Sequence, residues 1–314
     1  METKLTKLLG IKYPIIQGAM AWCSEAELVA AVSNAGGAGI IAAGGRSGQW
    51  LSDEIKKTKA LTDKPFGVNI MLMAPNIEEI TQVICEEKVA FVTTGAGNPL
   101  LVLDKIKAAG IKVIPVVPNV KLAKRMEQSG ADAIVVEGME AGGHIGQQTT
   151  MSLMENVLST VKNIPVIVAG GISDGRAIAA ALIMGASGVQ MGSRFVLTEE
   201  CNVHPRAKAA IIAATDTDSV ATGYSRNLGV RCLKNAFTEK YLALENSGAP
   251  NEKLMELATG TNYKGLIEGD IENGTLMIGQ ALNVLTEIKS TKDVIEDLMT
   301  QCRQTLENAA KILK

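Results

Sequence analysis

The feature that most constrains this chain is an alternation. Eight short apolar runs recur through its first two thirds: PIIQGAM (Pro14 to Met20), GAGIIAAG (Gly37 to Gly44), FGVNIML (Phe66 to Leu72), FVTTGAG (Phe91 to Gly97), KVIPVVPN (Lys112 to Asn119), AIVVEGM (Ala133 to Met139), PVIVAGGI (Pro165 to Ile172) and GVQMGSRF (Gly188 to Phe195). Near-continuous hydrophobicity over so few residues is the pattern of strands buried on both faces of a parallel sheet. Segments of helical period separate them, among them SEAELVAAVSNAG, PLLVLDKIKAAG and DGRAIAAALIMGA, and several stop at a glycine such as Gly110, Gly130 or Gly185. Eight β units in strict alternation with helices predict an α/β fold, a closed (β/α)8 TIM barrel, in preference to an open doubly wound sheet. The barrel is expected over residues 1–200. The rest is more than one closing helix requires. Residues 201–285 are expected to form a smaller, mostly helical cap on the substrate side, and 286–314 a helix that packs back on the barrel.

Composition narrows the function. The net charge of −2 offers no basic excess for nucleic acid or an anionic membrane, and aromatics at 3% argue against stacking platforms. Lys121, Lys124 and Arg125 cluster at helical spacing, the pattern of a solvated face. The five cysteines are odd in number and scattered, with no C-x-x-C pair, so they read as reduced thiols of a cytoplasmic protein. The N-terminus lacks the apolar core of a signal peptide, and no run approaches the roughly 20 apolar residues of a membrane span. Two distant histidines without clustered carboxylates give no metal ligand set.

In such a barrel the chemistry belongs at the C-terminal ends of the strands. The first run ends in Gln17-Gly18-Ala19-Met20, and the third places Asn69 near its end. The sixth ends in Glu137 and opens into EGMEAGGHIG, where His144 stands among Gly142, Gly143 and Gly146. Glycine lets a backbone approach a ligand closely, and histidine titrates near neutrality. The seventh run ends in Ala169-Gly170-Gly171 and the eighth in Gln190-Met191-Gly192-Ser193. Glycines at both these ends, with Ser173-Asp174 as a helix cap, fit the phosphate site that many barrels build there from backbone N–H groups. Gly95-Ala96-Gly97-Asn98-Pro99-Leu100 imitates a dinucleotide fingerprint, but its third glycine position is Leu100 and no separate nucleotide domain surrounds it. His204 precedes a helix beyond the barrel, and a structural role at that helix start is expected.

IKYPIIQGAMAW, DKPFGVNIML, VTTGAGNP, the long run from Val113 to Gly146, PVIVAGGI and MGSRFVLTEECNVHP together resemble the FMN-dependent enoyl-acyl-carrier-protein reductase II family of bacterial fatty-acid synthesis. That family shares a superfamily with the nitronate monooxygenases. The resemblance runs to about residue 205 and continues more weakly through GTLMIGQALNVL. EAGGH marks the superfamily; the Val113 to Gly146 run and NVHP favour the reductase branch. The resemblance implies FMN, with its phosphate on Ala169, Gly170, Gly171, Gly192 and Ser193 beside Gln190 and Met191. It implies a ring lined by Gln17, Gly18, Ala19 and Met20, with Asn69 on the polar edge. Gly142 and Gly143 would bring the histidine loop against the flavin. Glu137 stands where the monooxygenases have glutamine, leaving a flavin or cation contact open. The implied reaction is ping-pong: NADH or NADPH reduces the flavin and leaves, a trans-2-enoyl thioester on acyl carrier protein takes the hydride, and His144 supplies the proton. A homodimer and a monovalent cation belong to the same implication. Two alternatives stay open: a nitronate monooxygenase with His144 as base, and a flavin- or phosphate-binding protein without catalysis.

Overall fold

The computed structural model describes residues 1–312. Eight parallel strands form the barrel wall: β1 (Ile15–Gln17), β2 (Ile40–Ala42), β3 (Gly67–Met71), β4 (Phe91–Gly95), β5 (Lys112–Val117), β6 (Ile134–Glu137), β8 (Val166–Ala169) and β9 (Gly188–Met191). A two-residue strand, β7 (Gly143–His144), interrupts the series after β6 and lies outside the wall. The wall strands pair in chain order from β2 round to β9 and then β1. Closure between β1 and β2 rests on a bridge between Ile16 and Ala38, with Gln17 N–H donating to the Ala38 carbonyl at 2.9 Å. The strands are shorter than the apolar runs that announce them. Run ends such as Met20 and Gly44 leave the ladder and become loops at the mouth.

Side-chain alternation sorts the strands into two layers. Ile16, Ile40, Phe91, Ile114, Val135 and Ile167 fill the barrel interior, and Leu5 and Leu9 of the N-terminal helix Lys4–Leu9 join that cluster and stopper the floor. Ile15, Ile41, Val68, Val92, Val113, Ile134, Val168 and Val189 face the helices instead. The barrel is therefore packed solid below and open only above.

Beyond β9 come the short helix Ser193–Val196 and the helix Pro205–Ala213, whose N-cap is His204: its Nδ1 accepts from Arg206 N–H at 3.1 Å, the structural role expected of it. The cap is not helical throughout. An antiparallel hairpin, β10 (Ser219–Thr222) and β11 (Val230–Leu233), precedes the helices Ala236–Asn246, Asn251–Ala258 and Thr261–Leu266. SVAT and VRCL are too short and too mixed in polarity to show a period, which is why the sequence hides them. The long helix Thr291–Ile312 returns to the barrel against the helix Gly175–Ile183. There a Cβ on Gly175 would fall within 2.3 Å of the Leu298 carbonyl oxygen. No helix among the described residues is long and apolar enough to cross a membrane.

Candidate active site

A cavity of about 440 Å³ opens at the mouth, walled by the strand ends below and the cap above. Gly18, Ala19, Met20, Asn69, Glu137, Gly142, Gly143, His144, Ala169, Gly170, Gly171, Gln190, Met191, Gly192 and Ser193 all line it. Of the residues expected to contact the cofactor or substrate, only Gln17 stays out. It follows inward-facing Ile16 and so points away from the lumen, where it is fully buried. Its amide donates to the Gly18 carbonyl and to Ser24 Oγ (2.8 Å) and accepts from Ile40 N–H (3.2 Å). Gln17 thus ties β1 to β2 from outside the barrel, and a contact of its side chain with a ring at the mouth is corrected to a structural role.

The ends of β8 and β9 form a cradle of main-chain donors suited to an anion. Gly170 and Gly171 take left-handed φ values of 97° and 70°, which L-residues adopt only at a cost, and so turn the chain sharply off the strand. Thr150 Oγ1 donates to the Gly170 carbonyl at 3.0 Å and fixes that turn. The main-chain N–H groups of Gly171, Gly192 and Ser193 have no acceptor within the protein among the described residues. Those of Gly192 and Ser193 open the short helix Ser193–Val196. Unpaired donors from two loops on one cavity wall are what a phosphate requires. Ser193 Oγ accepts from Gly279 N–H at 2.9 Å, which leaves its O–H free to donate. Asp174 caps the next helix through Ala177 N–H at 2.9 Å, as its sequence position predicts.

The histidine loop is built differently. β7 pairs with β11 of the cap, His144 opposite Val230 and Gly143 opposite Arg231, and Ile145 N–H donates to the Gly229 carbonyl at 2.9 Å. Arg231 is buried; its Nε donates to the Met139 carbonyl at 2.9 Å and its Nη1 to Ser219 Oγ at 3.2 Å. Gly142 is glycine for a reason the sequence did not show. A Cβ there would meet the Ile278 carbonyl carbon at 2.7 Å, so its first duty is to let the loop lie on the segment after the cap helices. The His144 side chain, open to the cavity, makes no hydrogen bond among the described residues, and protein crowding holds its pKa below the ordinary imidazole value.

Glu137 lies at the end of β6 with no side-chain hydrogen-bond partner among the described residues, and burial pushes its carboxyl up to about 7. Glu140, three residues beyond Glu137, accepts from Thr150 N–H at 2.8 Å; burial raises it, while that bond and the charge of Arg231 pull it back. Asn69 Nδ2 donates to Thr93 Oγ1 at 2.9 Å, which leaves its carbonyl oxygen toward the cavity.

The cap supplies what periodicity could not reveal: Asn262, Leu266, Met277 and Gly279 also line the cavity. Beside them Trp22, in a left-handed conformation (φ 71°), stacks on the Arg46 guanidinium at 4.3 Å. Trp50 covers the same guanidinium at 4.2 Å. Glu25 pairs with Arg46 at 2.5 Å, and Tyr263 of the cap meets Trp22 edge-on at 5.0 Å. This clasp joins the loops after β1 and β2 to the cap.

Fold and site together define a (β/α)8 barrel whose capped mouth sets an imidazole beside an array of unpaired main-chain donors. The profile described as "Nitronate monooxygenase" matches residues 2–81 and 77–301, and the chain belongs to that family of oxidoreductases. It is similar to the structure of FabK from Thermotoga maritima, with 44% identity, a TM-score of 0.96 and 99% of each chain covered. It is 34% identical to (3aS,4S,5R,7aS)-5-hydroxy-7a-methyl-1-oxo-octahydro-1H-indene-4-carboxyl-CoA dehydrogenase of Rhodococcus jostii, over 95% of both chains. A probable nitronate monooxygenase of Staphylococcus aureus is 31% identical over 98% of this chain and 99% of its own.

Proposed function

We propose that the chain is an FMN-dependent enoyl reductase that saturates trans-2-enoyl chains on acyl carrier protein at the expense of NADH or NADPH. The observation that carries the reading is that unpaired donors on Gly171, Gly192 and Ser193 share one cavity with His144. The similarity to FabK over the whole chain supports the reductase reading, and that to a carboxyl-CoA dehydrogenase supports a thioester substrate.

The residues present fit FMN. Gly171, Gly192 and Ser193 would hold its phosphate through main-chain N–H groups, Gly18 to Met20 would flank the ring, and Asn69 with Glu137 would face its polar edge. Bound there, FMN would supply the hydride relay between nicotinamide and thioester. The protein's own part is orientation and the proton. Hydride arriving at the β-carbon leaves an enolate that needs a proton at the α-carbon. His144 is the imidazole at the cavity and would deliver it from a fixed loop. Its lowered pKa makes the imidazolium a stronger acid than free histidine. One cavity serving nicotinamide and enoyl substrate in turn accounts for a nicotinamide-using enzyme without a dinucleotide-binding turn. β4 and its Gly95-Ala96-Gly97 end are a barrel stave, paired with β3 and β5.

The test is anaerobic oxidation of NADH, then NADPH, by FMN-loaded protein with and without crotonyl thioester. Thioester-dependent oxidation is expected. The family and the Staphylococcus relative favour one other reading, nitronate oxidation with His144 as base. Oxygen uptake with an alkyl nitronate and no thioester-dependent oxidation would replace the first reading with the second.

A further inference from the structure

Asn262 lies on the cap helix Thr261–Leu266, one turn from Leu266 on the same face, and both line the cavity. The helix is pinned in place. Thr261 and Thr275 hydroxyls meet at 2.7 Å, Thr275 N–H donates to the Thr261 carbonyl at 2.8 Å, and His204 N–H donates to the Leu266 carbonyl at 2.8 Å. Gly265 packs so tightly on Thr275 that a Cβ would come within 2.6 Å of its carbonyl oxygen. On this rigid mount the Asn262 amide makes no hydrogen bond at either end among the described residues, and its Oδ1 is shut off from water. A buried polar group without a partner is costly, and packing alone would favour leucine at such a place.

The position says what kind of partner is missing. The groups suited to a flavin come from the strand ends, below; Asn262 comes from the cap, above, and faces whatever enters between the two. A primary amide is both donor and acceptor, so its natural complement is another amide: a carboxamide can meet it by two reciprocal hydrogen bonds, a trans secondary amide by one. We propose that Asn262 reads an amide group of the incoming substrate. Under the reductase reading, on which this rests, two ligands carry one: the carboxamide of nicotinamide and the amides of the pantetheine arm of the thioester.

Ping-pong turnover lets the two sources be separated. In Asn262→Leu, KM for one substrate should rise about tenfold, the loss of one or two neutral hydrogen bonds. The turnover number at saturation should stay within about twofold, because binding lost equally in ground and transition states leaves it alone. A rise confined to NADH identifies the carboxamide; one confined to the enoyl thioester identifies pantetheine. Asn262→Asp, which keeps an acceptor, should recover part of the loss, and it carries the test if the leucine variant fails to fold. Unchanged KM values for both substrates in a folded variant overturn the proposal. So does a joint fall of turnover and melting temperature with an altered flavin spectrum, which would mark a structural role. If wild-type protein proves not to reduce enoyl thioesters, flavin difference spectra with NAD+ and with coenzyme A still decide the matter. Weaker binding of either by the variant sustains the amide contact without the reductase, and equal binding of both refutes it.

Discussion

The anion cradle and the histidine loop serve one cavity but have different foundations. The cradle's frame comes from the barrel: two strand ends, two left-handed glycines and a threonine hydroxyl from the helix before β8, with one bond from Gly279 N–H to Ser193 Oγ reaching it from the cap side. The histidine loop leaves the barrel after β6 and is held by the cap, through a two-pair ladder to β11 and the Arg231 guanidinium. Under the proposed function, the part that would hold the ligand can thus be stable while the part that would move a proton depends on how the cap is seated. The contrast makes the two separable by mutation.

The largest effect should come from the loop. His144→Ala is expected to slow turnover by about 10²- to 10⁴-fold, the usual contribution of a general acid, while FMN affinity stays unchanged. Stopped-flow reoxidation of reduced protein by crotonyl thioester would measure it, and equal rates would remove the residue from the reaction. The same step should slow as pH rises through a value below 6.5, since the lowered pKa sheds the donated proton early. Gly170→Ala should do the opposite: it forces an L-residue into φ 97° with its Cβ 2.9 Å from the Gly138 carbonyl oxygen. A left-handed penalty of about 1–2 kcal/mol predicts FMN binding weaker by roughly tenfold. Fluorescence titration should show this, with turnover of the saturated protein little changed.

Arg231→Met tests the foundation itself. It strips the Met139 carbonyl of its donor and leaves Glu140 without a nearby cation. Turnover should fall by about tenfold, in line with roughly 1–3 kcal/mol for an unsatisfied buried group, while FMN affinity holds. Loss of FMN in this variant would show that cradle and loop are one unit after all. The smallest effect should be that of Glu137→Gln. The native carboxyl titrates near 7 against 4.5 for the free group, so the folded state holds its proton more tightly. Its contribution to stability is present at low pH and is lost as pH rises from about 4.5 to 7. The variant should therefore melt a few degrees higher at pH 8 and no higher at pH 4, as calorimetry would record.

The same division decides what could be read from the sequence. Barrel strands declare themselves because both faces are buried and the apolar runs are unbroken, as in AIVVEGM and PVIVAGGI. The cradle's residues stand out in the sequence because Gly170-Gly171 and Gly192 fall at the seventh and eighth strand ends. Gln17 misled because a strand end offers both inward and outward places, and only the pairing with Ala38 fixes which is which. Arg231 and Asn262 were invisible: each matters through a contact more than 90 residues away along the chain or through a cavity that no local pattern encodes. The hairpin that carries Arg231 left no period either, at four residues a strand.

The clasp around Arg46 has an optical consequence. The chain has only two tryptophans, and both lie on that one guanidinium, Trp22 with Tyr263 of the cap against its edge. Indole emission is therefore a local gauge of the mouth rather than an average over the fold. A shift of the Thr261–Leu266 helix changes the surroundings of Trp22 before those of Trp50. The protein carries a built-in reporter of cap movement, in a spectral window separate from the visible absorbance that follows a flavin.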